Sequence, residues 1–503
     1  MARGDLKCRL DEAALEIVRL ICAFFQLGEG AATKSAPSYS ILIGMIYSCA
    51  LGWVVQAMSS QKSVAEKMRH VLSEIFAGCR LDNLTVHLWD GTTWPDERPR
   101  AAVLALKHPD SLGRMFLPGT EVGLAEAYLR NDFDIEGDFE VAFEVGDFLL
   151  SRLDDWKKKL KLGGLLIRLP EGDESSIMQR AARELLPRIR GKRHSPQRDR
   201  RAVTFHYDVS NDFYQLWLDR GMVYSCAYFR TPNDHLDNAQ EQKLDYICRK
   251  LRLRAGQRLL DIGCGWGALV IHAAKHFSVH TEGITLSEPQ AEWARSRIGK
   301  AGLGSNAKIE VRDYRDIAAT SESYDAIVSI GMAEHVGRER LPDYFAAAHR
   351  ALKPGGVFLN QAIAEDVVAR PGNLASCRGS FVENYVFPDG DTPPLPIMLR
   401  AAERSGFEIR DVENLREHYA LTLRHWLRRL EEHHDSALRF VDEATYRVWR
   451  LYIAGAAHGF HRGCIAVHQT LLAKLDSSGQ TKLPLTRDDW CARQPAIVRR
   501  GGN

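Results

Sequence analysis

Residues 259–267, LLDIGCGWG, pass from an apolar run through an acid into three closely spaced glycines, and the helical-looking ALVIHAAKHF follows at once. Strand, tight loop and helix in immediate succession restrict the fold to sheets whose strands are joined by crossover helices. The loop also constrains what the chain can bind. Glycines at 263, 265 and 267 let backbone N–H groups approach a ligand that a β-carbon would keep away. The spacing G-x-G-x-G departs from the dinucleotide pattern G-x-G-x-x-G, and the Gly-Lys-Ser/Thr of a phosphate loop is missing. S-adenosylmethionine suits the loop better than either, against the plain alternative of a tight turn with no ligand.

The rhythm continues along the chain. RLLDIG, VHTEGIT, AKIEVRD, YDAIVSIG and GGVFLNQAI alternate with helix-like segments, PQAEWARSRIGKAG among them. This predicts an α/β fold, a parallel sheet wound with helices on both faces and ligands at the carboxyl ends of its strands. Upstream, LTVHLWDG is apolar at every second residue and ends in Asp-Gly, a hairpin signal that predicts a smaller N-terminal α+β domain. The expected layout is an extension over 1–62, an accessory domain over 63–155, a basic linker over 156–203, a catalytic domain over 204–475 and a tail over 476–503.

Composition sets outer limits. A chain of 503 residues is too long for one compact core. A net charge of +2 excludes a wholly basic nucleic-acid binder, so nucleic acid is not an expected partner. Basic residues nevertheless gather between Arg180 and Arg201, preceded by Lys157, Lys158, Lys159 and Lys161. Such a stretch is either a solvated linker or an anchor for anionic headgroups, each cation near a lipid surface contributing about 1 kcal/mol. Ten cysteines without a C-x-x-C pair suit a reducing cytoplasm, and no metal-ligand spacing is present. Ile41–Val55 is apolar but shorter than the roughly 20 residues that span a bilayer, so a buried or interfacial helix is expected there.

Further short motifs carry a resemblance: HYDVSNDFY (206–214), YSCAYF (224–229), TLSEPQ (285–290), RDYRD (312–316), GMAEHVG (331–337), LKPGG (352–356) and ENYVFPDG (383–390). In that order they resemble the cyclopropane-fatty-acyl-phospholipid synthases, mycolic-acid cyclopropane synthases and fatty-acid methyltransferases, strongly over 200–470 and more weakly over 64–150. The resemblance implies a Rossmann-like class I S-adenosylmethionine-dependent methyltransferase domain. It assigns Tyr224 and Ser225 to the methionine moiety and Thr285, Leu286, Ser287 and Gln290 to the ribose side, where Glu282, about 20 residues after the loop as a ribose-binding acid would be, is the runner-up; Asp313 and Tyr314, after the third strand, are expected to flank the adenine. Asp261, Gly263, Gly265 and Gly267 complete the cofactor set.

An isolated cis double bond is a weak nucleophile, so methylating it needs an activated methyl held close in a dry site. The resulting carbocation-like centre closes to a cyclopropane if the new methyl loses a proton, and becomes a branch if a neighbouring carbon does. The resemblance implies bicarbonate as the base, cradled by Cys226, Glu334, Ile363 and Tyr419. Two positions depart from the pattern. Gln361 stands where the best-known bacterial members have histidine, and it cannot carry a proton at neutral pH. Ala456 stands where many have cysteine.

The expected activity is S-adenosylmethionine-dependent cyclopropanation of unsaturated acyl chains in phospholipids. Methylene- or methyl-branched products, small-molecule methylation and a silent lipid-binding protein are the alternatives. The expected setting is cytoplasmic, peripheral at the inner membrane face, with phospholipid as partner and a homodimer left open. His206, Tyr207 and Asp208 either shape the acyl entrance or pin a helix.

Overall fold

The computed structural model describes residues 64–152, 156–167, 169, 192–207, 209–319, 321–365 and 381–491. The apolar segment Ile41–Val55, Asp208 and most of the basic stretch lie outside them.

The accessory region is α+β. Its four-stranded sheet contains β1 (Leu84–His87), β2 (Thr93–Trp94), β3 (Ala102–Leu106) and β4 (Phe133–Gly137), in the order β2-β1-β3-β4. The Asp-Gly signal is a hairpin: Gly91 takes φ +81°, and Val86 pairs with Trp94 across the antiparallel β1–β2 ladder. Helices over 64–75, Glu121–Leu129, Phe139–Arg152 and Trp156–Leu166 surround this sheet.

The larger sheet has seven strands: β5 (Arg258–Ile262), β6 (His280–Thr285), β7 (Ala307–Val311), β8 (Tyr324–Ile330), β9 (Leu352–Glu365), β10 (Phe407–Asn414) and β11 (Ile465–Lys474). Their order is β10-β11-β9-β8-β5-β6-β7. The first five pair in parallel, as the alternating pattern predicts. β11 runs antiparallel between β9 and β10, a reversal the pattern does not foretell. It enters from the Glu443–Arg462 helix through Gly463 at φ +76°, a turn that sends the chain back along β9.

The two regions share one core. A continuous apolar cluster runs from Met68, Phe76 and Tyr128 to Trp217, Trp426 and Trp449. Arginines of the Glu443–Arg462 helix fasten the contact. Arg447 reaches Asp134 Oδ2 at 2.8 Å and Arg450 reaches Asp134 Oδ1 at 3.0 Å, with Arg424 paired to Glu140 nearby.

The span expected as a basic linker carries two helices, Trp156–Leu166 and Pro196–Tyr207. Some of its charge turns inward, since Arg193 and Arg198 pair with Asp389. The tail likewise docks, with Trp490 buried and its carbonyl accepting from Arg249 Nη1 at 2.7 Å. Among the described residues no helix is long and apolar enough to cross a membrane.

Candidate active site

The glycine loop leaves β5 and meets the Ala268–Phe277 helix at the carboxyl edge of the sheet, where a cavity of about 150 Å³ opens. Gly263, Gly265 and Gly267 have φ of +81°, +52° and +78°. Their roles differ. A β-carbon on Gly267 would lie 2.8 Å from Ala294 Cβ, so this glycine serves helix packing. A β-carbon on Gly265 would meet nothing within 4 Å, and Gly265 lines the cavity. That free space above the backbone is the cradle an adenosyl ligand needs.

Tyr224, Ser225, Asp261, Gly263, Thr285, Leu286, Gln290 and Tyr314 all line this cavity. Thr285 Oγ1 donates to Gln290 Oε1 at 2.9 Å, fixing the ribose-side pair. Three assigned residues stand behind the wall: Gly267, as above, Ser287 and Asp313. Ser287 caps the Glu288–Lys300 helix by accepting from Gln290 N. Asp313 accepts from the Arg315 backbone and from Arg315 Nε at 2.9 Å, which turns it away from the cavity. The runner-up Glu282 is held by Lys308 and Arg312 and does not line the cavity either.

The structure adds residues that carry no motif. Lys243, fully buried on the Leu236–Lys250 helix, donates to Ser225 Oγ at 3.0 Å, and burial draws its ammonium down to about 8. Burial pushes Asp261 up to about 7 against the pull of Lys243. Lys243 would therefore hold a ligand carboxylate next to Tyr224 and Ser225, which fits the methionine end of S-adenosylmethionine. Trp266, Met332 and His335 complete that wall, with Trp266 Nε1 anchored on Asn211 Oδ1 at 2.7 Å.

Beside this cavity lies the candidate reaction centre. β8 is followed by Gly331, and the short Ala333–Val336 helix presents Glu334 and His335. Glu334 Oε1 accepts from the Ile363 backbone N–H at 2.8 Å, while Oε2 is buried with no hydrogen-bond partner. Burial raises this carboxyl to about 7. Its field reaches four tyrosines, Tyr207, Tyr344, Tyr419 and Tyr452, and Tyr224 packs beside Tyr207 at 6.1 Å between ring centroids.

His206 sits in the same aromatic wall, 3.9 Å from Phe387 and 5.0 Å from Trp449 between ring centroids, its Nδ1 on Val386 O at 2.9 Å. These contacts pin the Pro196–Tyr207 helix to Val386 and Phe387. His335 is drawn down to about 4 by burial and receives the Tyr207 hydroxyl at 3.4 Å.

Ile363, Cys226 and Gln361 are committed within the chain. The Ile363 N–H is taken by Glu334. Cys226 Sγ donates to Leu415 O at 3.7 Å, and burial pushes its thiol up, so it packs rather than reacts. Gln361 Oε1 accepts from Gln469 Nε2 at 3.0 Å, directly across the β9–β11 ladder. Gln469 Oε1 in turn takes Lys250 Nζ, which also pairs with Glu413. Of the four cradle residues, Glu334 through Oε2 and Tyr419 through its hydroxyl would hold bicarbonate. Among the described residues no cluster of metal-ligating side chains occurs.

Comparison with known proteins agrees with this geometry. The sequence profile of the mycolic acid cyclopropane synthetase family matches residues 194–470. A probable fatty acid methyltransferase of Pseudomonas putida is 39% identical over 407 residues, 81% of this chain and 95% of that protein. A tuberculostearic acid methyltransferase of Mycobacterium tuberculosis is 32% identical over 400 residues, 76% of this chain and 86% of that protein. The solved mycolic acid cyclopropane synthase complexed with SAH and CTAB is 34% identical, with a TM-score of 0.52, over 54% of this chain and 97% of its own. The chain belongs to the mycolic acid cyclopropane synthetase family and carries the Rossmann-like fold of S-adenosylmethionine-dependent methyltransferases.

Proposed function

We propose that this chain transfers the methyl of S-adenosylmethionine to the double bond of an unsaturated fatty acyl chain carried by a phospholipid. Glu334 carries the reading: a single acid with one pinned and one unclaimed oxygen, buried among tyrosines beside the cofactor cavity. When bound, S-adenosylmethionine supplies an electrophilic methyl on a sulfonium. The surrounding tyrosines exclude water and offer their ring faces to positive charge at the alkene carbons. The aromatic rings around Glu334 offer a polar small molecule little to bind.

Glu334 is the proton acceptor in this reading. Its neighbours Met332 and His335 line the cofactor cavity, which sets the carboxylate beside the space S-adenosylmethionine would fill. A base there favours loss of a proton from the new methyl and closure to a cyclopropane. A branched product is the second reading. Gln361 lacks a titratable proton, and relatives matching more than three quarters of this chain are named as fatty acid and tuberculostearic acid methyltransferases.

Lipid mass spectrometry of a heterologous host fed methionine with a deuterated methyl tests both. An ozone-resistant product, heavier by one methylene and retaining two methyl deuteriums, is expected. The same gain with an ozone-sensitive double bond selects the branched reading, and unmodified lipid removes the lipid substrate altogether.

A further inference from the structure

We infer that the accessory domain holds a second acyl-chain site, separate from the reaction centre. Between its sheet and the Phe139–Arg152 and Trp156–Leu166 helices lies a cavity of about 520 Å³. Apart from Glu74, Thr120, Glu121, Tyr128 and Lys161, every side chain on its wall is apolar or glycine. The deep wall is closed by residues such as Phe76, Leu84, Tyr128 and Phe139, each at most 3% exposed. The polar groups sit elsewhere. Gly119, Thr120, Glu121 and Lys161 are exposed, and Lys161 Nζ lies 2.6 Å from Glu74 Oε2. The cavity therefore has a dry apolar interior and a charged rim.

That gradient selects a ligand with a long apolar tail and a polar head. The space is more than three times that of the cofactor cavity, room for a long acyl chain. An apolar void of this size forfeits dispersion contacts on every wall until something apolar fills it. Two large apolar side chains next to the wall residues are themselves in solvent, Leu117 at 50% and Ile167 at 73% exposure. They extend the apolar surface to the outside, where an acyl chain arrives from a bilayer or micelle. Lys161 would meet an anionic head, carboxylate or phosphate, by exchanging it for Glu74.

The site stands on the cavity and not on the reaction assigned to Glu334. Its position nevertheless suits delivery. Leu451 forms part of this wall, while the next residue, Tyr452, stands among the tyrosines around Glu334.

Gly146 gives a direct test, because it lines the cavity and a β-carbon there would meet nothing within 4 Å. The full-length protein is irradiated with a stearate bearing a mid-chain diazirine, and separately with vesicles of a phosphatidylglycerol carrying the same chain; labelled peptides are then mapped. Labelling within 139–149 and 161–165 is expected, falling at least tenfold in Gly146→Phe and in the gentler Gly146→Leu. Labelling of 416–432 at the reaction centre and affinity for S-adenosylhomocysteine should stay unchanged. Lys161→Glu should weaken labelling several-fold at low salt.

Labelling by the free acid alone assigns a fatty-acid site, and labelling from vesicles assigns a phospholipid chain. No labelling of 139–165, or labelling indifferent to both Gly146 variants, overturns the inference. Labelling that persists in a protein shown not to methylate lipid would sink the proposed reaction and leave this site standing.

Discussion

The cofactor cavity and the accessory cavity differ in what holds them open. The first, about 150 Å³, is bounded by glycine backbone, a buried lysine and a buried aspartate. The second, more than three times larger, is bounded by aliphatic and aromatic side chains. A polar ligand must be met by groups at fixed places, and fixed places leave marks in a sequence. An apolar ligand needs only a volume, and the residues that enclose a volume are the same ones that fill a core.

The sharpest way to break this contrast is at Gly265. Gly265→Val puts a branched side chain at φ +52°, pointing into the cofactor space. Calorimetry should show affinity for S-adenosylhomocysteine falling by more than a hundredfold while stearate labelling of the accessory domain is unaltered. Retained affinity would mean that the loop does not meet the cofactor.

Next in size is Glu334→Gln. If the carboxylate accepts the proton, turnover in the variant should fall by about two orders of magnitude with cofactor affinity kept. In the unaltered protein turnover should climb with pH through about 7 and then level, because burial holds Glu334 protonated below that point. The stability effect has the opposite direction. A carboxyl whose folded value is raised from 4.5 to about 7 favours folding while neutral, and that advantage is lost as pH rises through 7. The glutamine variant lacks the penalty, so thermal scans above pH 7 should place it higher than the parent, by an amount on the order of 2 kcal/mol. A flat pH–rate profile would take Glu334 out of the chemistry.

The smallest effect compares two leucines. Leu260→Ala, inside β5 and fully buried, should cost about 2–5 kcal/mol in urea unfolding. Leu162→Ala, on the half-buried wall of the accessory cavity, removes a side chain that already lacks neighbours on one side and should cost under about 1.5 kcal/mol. Equal costs would mean that the accessory cavity is packed in solution.

The same contrast explains what could be read in advance. The parallel strands were legible because each is a short apolar run closed by a turn, and the glycine loop because only glycine tolerates its backbone angles next to a ligand. Tyr224, Thr285, Gln290 and Glu334 came through a resemblance, since a lone tyrosine or glutamate has no pattern of its own. Lys243, Trp266 and Tyr452 were missed. Each sits in or beside a helix where its residue type is ordinary, and only the folded chain turns it toward the ligand.

Nothing local shows that Arg315, two residues on from Asp313, folds back over it. The reversal of β11 depends on where the Glu443–Arg462 helix ends in space, and the extra cavity on how closely two helices approach a sheet. Neither is a property of any short stretch.

That same helix has a last consequence. It carries Leu451 against the accessory cavity and Tyr452 toward Glu334, and Arg447 and Arg450 clamp it to Asp134. One helix, fixed to the smaller domain, therefore borders the accessory cavity with one residue and stands near Glu334 with the next. Thermodynamic reciprocity then applies: if a guest at one place changes the affinity for a guest at the other by some factor, the second changes the first by that same factor.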